Sequence, residues 1–226
     1  MTTLRELEAD IVGCRRCPRL VSWRERVAKE KRAAYDEWVY WGRPVPGFGD
    51  DRARIMLVGL APAAHGANRT GRLFTGDRSG DFLYAALYRC GLATSPTSCD
   101  RDDGLALQNA YLTAAVRCVP PGNRPMPAER DNCSSHLITE LELLPYVRVE
   151  VALGGYAWDQ MLRVHRMRGD ATASPKARFS HGAETAVGDR TLLGAYHPSQ
   201  QNTFTGRLRP QMLDAVLERA VDLATL

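Results

Sequence analysis

Residues 55–80, IMLVGLAPAAHGANRTGRLFTGDRSG, constrain this chain more than any other stretch. The apolar run Ile55-Met56-Leu57-Val58 has the pattern of a strand buried on both faces, as in a parallel sheet. It stops at Gly59 and gives way to a loop carrying Pro62, His65, Gly66, Asn68, Arg69, Thr70, Gly71, Arg72, Phe74, Gly76 and Asp77. A helical pattern starts after Gly80. A core strand delivering a long polar loop from its carboxyl end is the ligand-bearing arrangement of open α/β sheets. Connections of this length are uncommon in compact domains and are usually functional or disordered. Stability alone gives no reason to set charged side chains so densely between glycines.

The rest of the chain alternates in the same way. Strands are expected at about 54–61, 110–116, 147–153 and 190–196. Helices are expected at 3–13, 21–35, 81–91 (capped by Ser79 or Asp81), 127–144, 156–165 and 210–224. Trp38–Gly49 is aromatic and rich in Gly and Pro, which rules out a regular helix. Residues 169–189 are polar and irregular and are read as a hairpin-like excursion. The expectation is one α/β domain over residues 1–226, a three-layer α/β/α arrangement around a central four-stranded parallel sheet. The loops after Val58, Val116 and Tyr196 would then meet at one edge.

The formal net charge is +4 and arginine far outnumbers lysine, a balance that permits a polyanionic partner. No apolar run reaches membrane-span length, and the charged N-terminus lacks the apolar core of a signal peptide. A cytoplasmic monomer is expected. The cysteines are Cys14, Cys17, Cys90, Cys99, Cys118 and Cys133. In a cytosolic chain they point to metal rather than disulfides. Cys14-x-x-Cys17 is a chelating pair; Cys118 ends a strand and Cys133 opens a helix. These four suit zinc or a [4Fe-4S] cluster, and the wide second spacing favours the cluster. Cys90 falls on an apolar helix face and Cys99 in a polar loop.

Three segments and the four cysteines together resemble the uracil-DNA glycosylase superfamily, and within it family 5, the type B iron–sulfur enzymes. The segments are Gly59–Asp77, Val116–Pro125 (VRCVPPGNRP) and His197–Asn202 (HPSQQN). The similarity spans roughly Cys14 to Arg207. It implies a [4Fe-4S] cluster on Cys14, Cys17, Cys118 and Cys133, double-stranded DNA as partner, and removal of damaged bases. Other families carry Asp, Asn or Glu just after the first strand; this chain has Ala61-Pro62-Ala63-Ala64. Family 4 reads uracil with an Asn on the second strand, where this chain has Ala114. Both departures fit the broader substrate range implied for family 5, which includes hypoxanthine and xanthine.

Breaking an N-glycosidic bond builds positive charge on the sugar and negative charge on the departing base. Asp77, the only carboxylate of the first loop, is expected to serve the sugar cation and orient water; the alternative is a helix cap. His197 is expected to donate to the base oxygen. Phe74 would stack on the base, Asn123 would bond its edge, and backbone N–H groups around Ala61 and Ala63 would donate to it. Asn68, Arg69, Arg72, Gln201, Asn202 and Arg207 are assigned to DNA, with local pairing as the alternative for Arg69 and Arg72. Gln200–Phe204 would wedge into the duplex. The competing reading is a non-catalytic zinc- or iron–sulfur-containing nucleic-acid-binding protein, which would leave Asp77 and His197 idle.

Overall fold

The computed structural model describes residues 2–225. The chain opens with helix α1 (Leu4–Gly13) and α2 (Pro18–Glu30), then a short turn of 3-10 helix at Ala33–Tyr35. Strands β1 (Phe48–Gly49) and β2 (Ile55–Gly59) follow, then helices α3 (Ala67–Thr70) and α4 (Arg78–Arg89). Next come β3 (Ala110–Ala114), α5 (Pro127–Leu143), β4 (Val149–Leu153), α6 (Gly155–Arg168), β5 (Glu184–Val187) and β6 (Arg190–Ala195). Helices α7 (Gln200–Phe204) and α8 (Pro210–Thr225) close the chain. Among the described residues, no helix is long and apolar enough to cross a membrane.

The sheet runs β1-β3-β2-β4-β6-β5. Its four inner strands are mutually parallel, as expected from the sequence. These four are the expected parallel sheet; β1 and β5 extend it to six strands, adding an antiparallel edge on each side. Neither edge shows the apolar signature of a buried strand. β1 is two residues of a Gly/Pro-rich segment, and β5 is half-exposed, paired to β6 through the Gly188-Asp189 turn.

All five residues of β2, β3 and β4 are buried, so both sheet faces are covered. Ile55 and Leu57 face Leu83, Tyr84 and Leu87 of α4 and Leu213, Val216 and Leu217 of α8. Met56 and Val58 face Leu137 and Leu141 of α5 and Trp158, Met161 and Leu162 of α6. The strand's alternation therefore sets the two helix layers. Helix α2 begins at Pro18, which suits a first helical position, and stops at Lys31, whose φ of 54° leaves the helical region. Residues 38–45 form a strap across the carboxyl edge. Trp41 N–H donates to the Arg69 carbonyl (2.9 Å), Gly42 to Asn68 (3.0 Å) and Val45 to Arg117 (2.8 Å).

One charge network is sealed under the second helix layer. His165 of α6 is 1% exposed; its Nε2 lies 2.8 Å from Glu150 and its Nδ1 2.7 Å from Asp170. Arg190 reaches the other Glu150 oxygen at 3.2 Å. Burial opposes charge on His165, but the two carboxylates outweigh it and raise its pKa above the ordinary 6.5. The stability this adds is present below the unfolded value and is lost as pH rises through the raised one. His165→Asn should cost about 3 kcal/mol or more at pH 6, because it breaks a buried ion pair. The gap in urea midpoint between wild type and variant should narrow steadily towards pH 9. A gap that does not change with pH would show that His165 is neutral in the fold.

Candidate active site

The inner strands all point their carboxyl ends at the strap. There β2 stops at Gly59, and Phe74 folds back against it. Phe74 adopts φ 52°, the left-handed region that costs a non-glycine residue about 1–3 kcal/mol. A Cβ on Gly59 would stand 2.8 Å from the Phe74 ring, and one on Gly80 would collide with the Phe74 carbonyl. The ring meets His197 with centroids 5.7 Å apart and planes tilted by 34°. Behind His197 sits Gly154 (φ 103°), where a Cβ would lie 3.3 Å from that of the histidine. Glycines at the ends of β2 and β4 thus make the room in which Phe74 and His197 pair.

Asp77 opens α4. Its Oδ1 accepts the Gly80 N–H at 3.0 Å, so it is the N-cap, the alternative weighed for it, and the cap is neither Ser79 nor Asp81. Its Oδ2 rests on Gly66, where any Cβ would collide with it. Burial raises the carboxyl pKa, the Gly80 and Ser79 N–H groups oppose that rise, Asp81 adds to it and Arg69 offsets it. Capping and a chemical role are therefore compatible: one oxygen faces the helix and the other the loop. Burial pushes His197 down to about 4, which makes it a neutral imidazole at neutral pH, able to donate one N–H. The Asn202 amide (2.8 Å) and the Ser199 N–H (2.8 Å) both donate to the His197 carbonyl.

Three of the residues assigned to DNA are corrected. Asn68, Arg69 and Arg72 are buried, at 0%, 4% and 4% exposed, and spend their donors inside the protein. Asn68 Nδ2 donates to the Arg24 carbonyl (3.2 Å). Arg69 donates to the carbonyls of His65 and Gly76. Arg72 reaches Asp103 (2.6 Å) and Ser98 (2.7 Å). A loop that buries its carbonyls needs donors for them: Arg69 serves two of its own, and Asn68 and Arg72 tie it to α2 and to the segment after α4. Asn202 is likewise turned inward to His197. Gln201 and Arg207 stay exposed, with Arg207 stacked 4.6 Å from the Tyr196 ring centroid. Asn123 (φ 56°) is exposed on the turn after β3. Ala61 and Ala63 are half-exposed, and among the described residues their N–H groups make no backbone hydrogen bond.

Cys14, Cys17, Cys118 and Cys133 line one small cavity together with Leu20, Arg24, Arg117 and His136. All six cysteines are free thiols. Cys90 packs against the main core and Cys99 is exposed, as their positions suggest. Among the described residues, no three His, Cys, Asp or Glu side chains are grouped around a single metal-ion position. The chemistry around the thiols is nonetheless cationic. Arg24, 2% exposed and without a carboxylate partner among the described residues, donates to Cys118 Sγ (2.9 Å) and to the Cys14 carbonyl (3.3 Å). Arg117 pairs with Glu140, while its Nε and Nη1, Arg24 Nε and His136 Nε2 have no partner among the described residues. Burial pushes the Cys118 thiol up to about 12, a proton that a metal would have to displace. Two buried guanidinium groups beside four thiols fit an anionic group held by thiolates. Sequence reading overlooked Arg24 and Arg117; their closeness to Cys17 and Cys118 in the chain was the available signal.

The uracil DNA glycosylase superfamily profile matches residues 46–221. A type-5 uracil-DNA glycosylase of Mycobacterium tuberculosis is 58% identical over 97% of this chain and 81% of its own length. One from Thermus thermophilus is 54% identical over 96% of each chain. A type-4 uracil-DNA glycosylase of Archaeoglobus fulgidus is 29% identical over 70% of this chain and 62% of its own length. With the profile across most of its length and the type-5 likeness across nearly all of it, this chain belongs to the uracil-DNA glycosylase superfamily.

Proposed function

We propose that this protein hydrolyses the N-glycosidic bond of uracil in DNA, and of the deaminated purines hypoxanthine and xanthine, leaving an abasic site for base excision repair. The observation that carries the reading is Phe74 packed against a neutral His197 at the edge where Asp77 opens α4. The target nucleotide must leave the stack to reach these side chains. Phe74 offers a ring face to the flipped base. The N–H groups of Ala61 and Ala63 and the His197 imidazole N–H donate to base oxygens as negative charge gathers there. The Asp77 carboxylate stabilises the sugar cation and orients the attacking water. No side chain of Ala61–Ala64 or Ala114 selects one base edge, which supports several substrates. Phe204, 68% exposed at the end of α7, and Gln201 are the wedge beside the gap. Arg207 contacts phosphate, and Asn123 lines the rim.

Cys14, Cys17, Cys118 and Cys133 are proposed to hold a [4Fe-4S] cluster with a structural role, Arg24 and Arg117 balancing its negative charge. When bound, it would lock the segment between α1 and α2 to the loop after β3 and to α5.

Asp77→Asn keeps the cap but loses the charge. It should slow single-turnover excision from a uracil duplex by about a hundred- to a thousandfold, equivalent to roughly 3–4 kcal/mol. A rate near wild type would remove Asp77 from the chemistry. Cys17→Ala should yield colourless, poorly soluble protein by iron analysis, while Cys99→Ala keeps its iron; zinc in the wild type would overturn the cluster. Arg207→Ala should reduce the salt dependence of duplex binding by about one phosphate contact. An unchanged slope would exclude that contact.

A further inference from the structure

We propose that Arg69 is a positioning residue: clasped by Tyr35 and Trp38, it ties the two arms of the long loop together and fixes the place and charge of the Asp77 carboxylate. This rests on the reading of Asp77 as the carboxylate that serves the sugar. The Arg69 guanidinium lies 4.0 Å from the Tyr35 ring centroid and 4.1 Å from that of Trp38. Its Nε donates to the His65 carbonyl (2.8 Å) and its Nη2 to the Gly76 carbonyl (2.8 Å). His65 precedes Gly66, on which Asp77 rests, and Gly76 precedes Asp77 itself. One planar fork therefore holds both segments that flank the carboxylate. Gly76 (φ 74°) has no room for a side chain, because a Cβ there would run into Arg69.

A buried cation without a carboxylate partner is costly, and among the described residues Arg69 has no ion pair. Two aromatic faces and two carbonyls offset that cost without neutralising the charge. The charge is left to act on Asp77. Of the other ionisable groups nearby, Asp81 on α4 opposes ionisation of Asp77. His197 is neutral. His65 is held below its ordinary value by burial, with Arg32 and Arg69 adding to it. Arg78 turns to the Phe204 ring, 5.5 Å away. Lysine would supply the charge but not the two-pronged geometry.

The test measures single-turnover excision against pH, and the Asp77 carboxyl titration by 13C NMR, in Arg69→Gln, Arg69→Lys and Trp38→Leu. Arg69→Gln should cut the plateau rate about tenfold or more and move the acid limb and the NMR midpoint to higher pH, by about half a unit or more. Arg69→Lys should keep the limb near wild type and lose plateau rate; Trp38→Leu should do the same. A folded Arg69→Gln with unchanged plateau and midpoint overturns the proposal. If Arg69→Gln does not fold, wild-type plateaus in both other variants overturn it. A wild-type protein that excises no base refutes the glycosylase reading, and the NMR midpoint then decides the charge effect of Arg69 by itself.

Discussion

A loop withdrawn from water must find donors for its own carbonyls, and the stretch between Gly59 and Asp77 finds them in Arg69 and Thr70. Arg69 supplies the His65 and Gly76 carbonyls with hydrogen bonds that a solvated loop would take from water, while Arg72 ties the loop to Ser98, Arg101 and Asp103. Thr70 Oγ1 bridges the Gly66, Arg72 and Thr75 carbonyls at 3.3–3.4 Å. The result is a loop whose arms are cross-linked by its own side chains. Phe74 can hold a strained backbone, and Asp77 a single orientation, because the frame around them leaves no alternative.

The same logic, with the sign of charge exposed, runs through the cysteine cavity. Arg24 is buried with no carboxylate among the described residues, where neutral thiols alone would not call for it, and Arg117, paired with Glu140, stands beside it. Val116, Cys118, Cys133 and Leu20 form one small apolar cluster against which Ala61 packs. The wall of the cavity and the start of the long loop are therefore the same piece of structure. Disturbance of one would reach the other through a single layer of side chains.

Much of this was legible in the sequence. Ile55–Val58 announced a doubly covered strand, and Gly59 its abrupt end. Asp77 is the sole carboxylate of that loop, and Cys14, Cys17, Cys118 and Cys133 line one cavity. The burial of Asn68, Arg69 and Arg72 was not legible, because arginine is exposed by default and loops have no periodicity to read. Their partners, Tyr35, Trp38 and Asp103, stand some thirty residues away in the chain. The edge strands escaped for a different reason. Two residues at Phe48–Gly49 and four at Glu184–Val187 carry too little apolar pattern to stand out from their turns. That Asp77 could cap the helix and still serve the chemistry was open from the sequence; the structure shows the cap, with Oδ1 on the Gly80 N–H and Oδ2 turned to Gly66.

The strap also has a consequence for the order in which the molecule can assemble. Leu20 packs on Val116, Cys118 and Cys133, α1 lies against α5, and the strap hangs on residues 68, 69 and 117. The partners of Leu20, namely Val116, Cys118 and Cys133, lie beyond the midpoint of the chain, so a ribosome delivers them only after more than half of it has been made. Until α5 emerges, α1 lacks the helix it packs on, and Cys14 and Cys17 wait for the other two cysteines of their cavity. The amino-terminal cysteine pair is thus made first and is enclosed only with the second half of the chain.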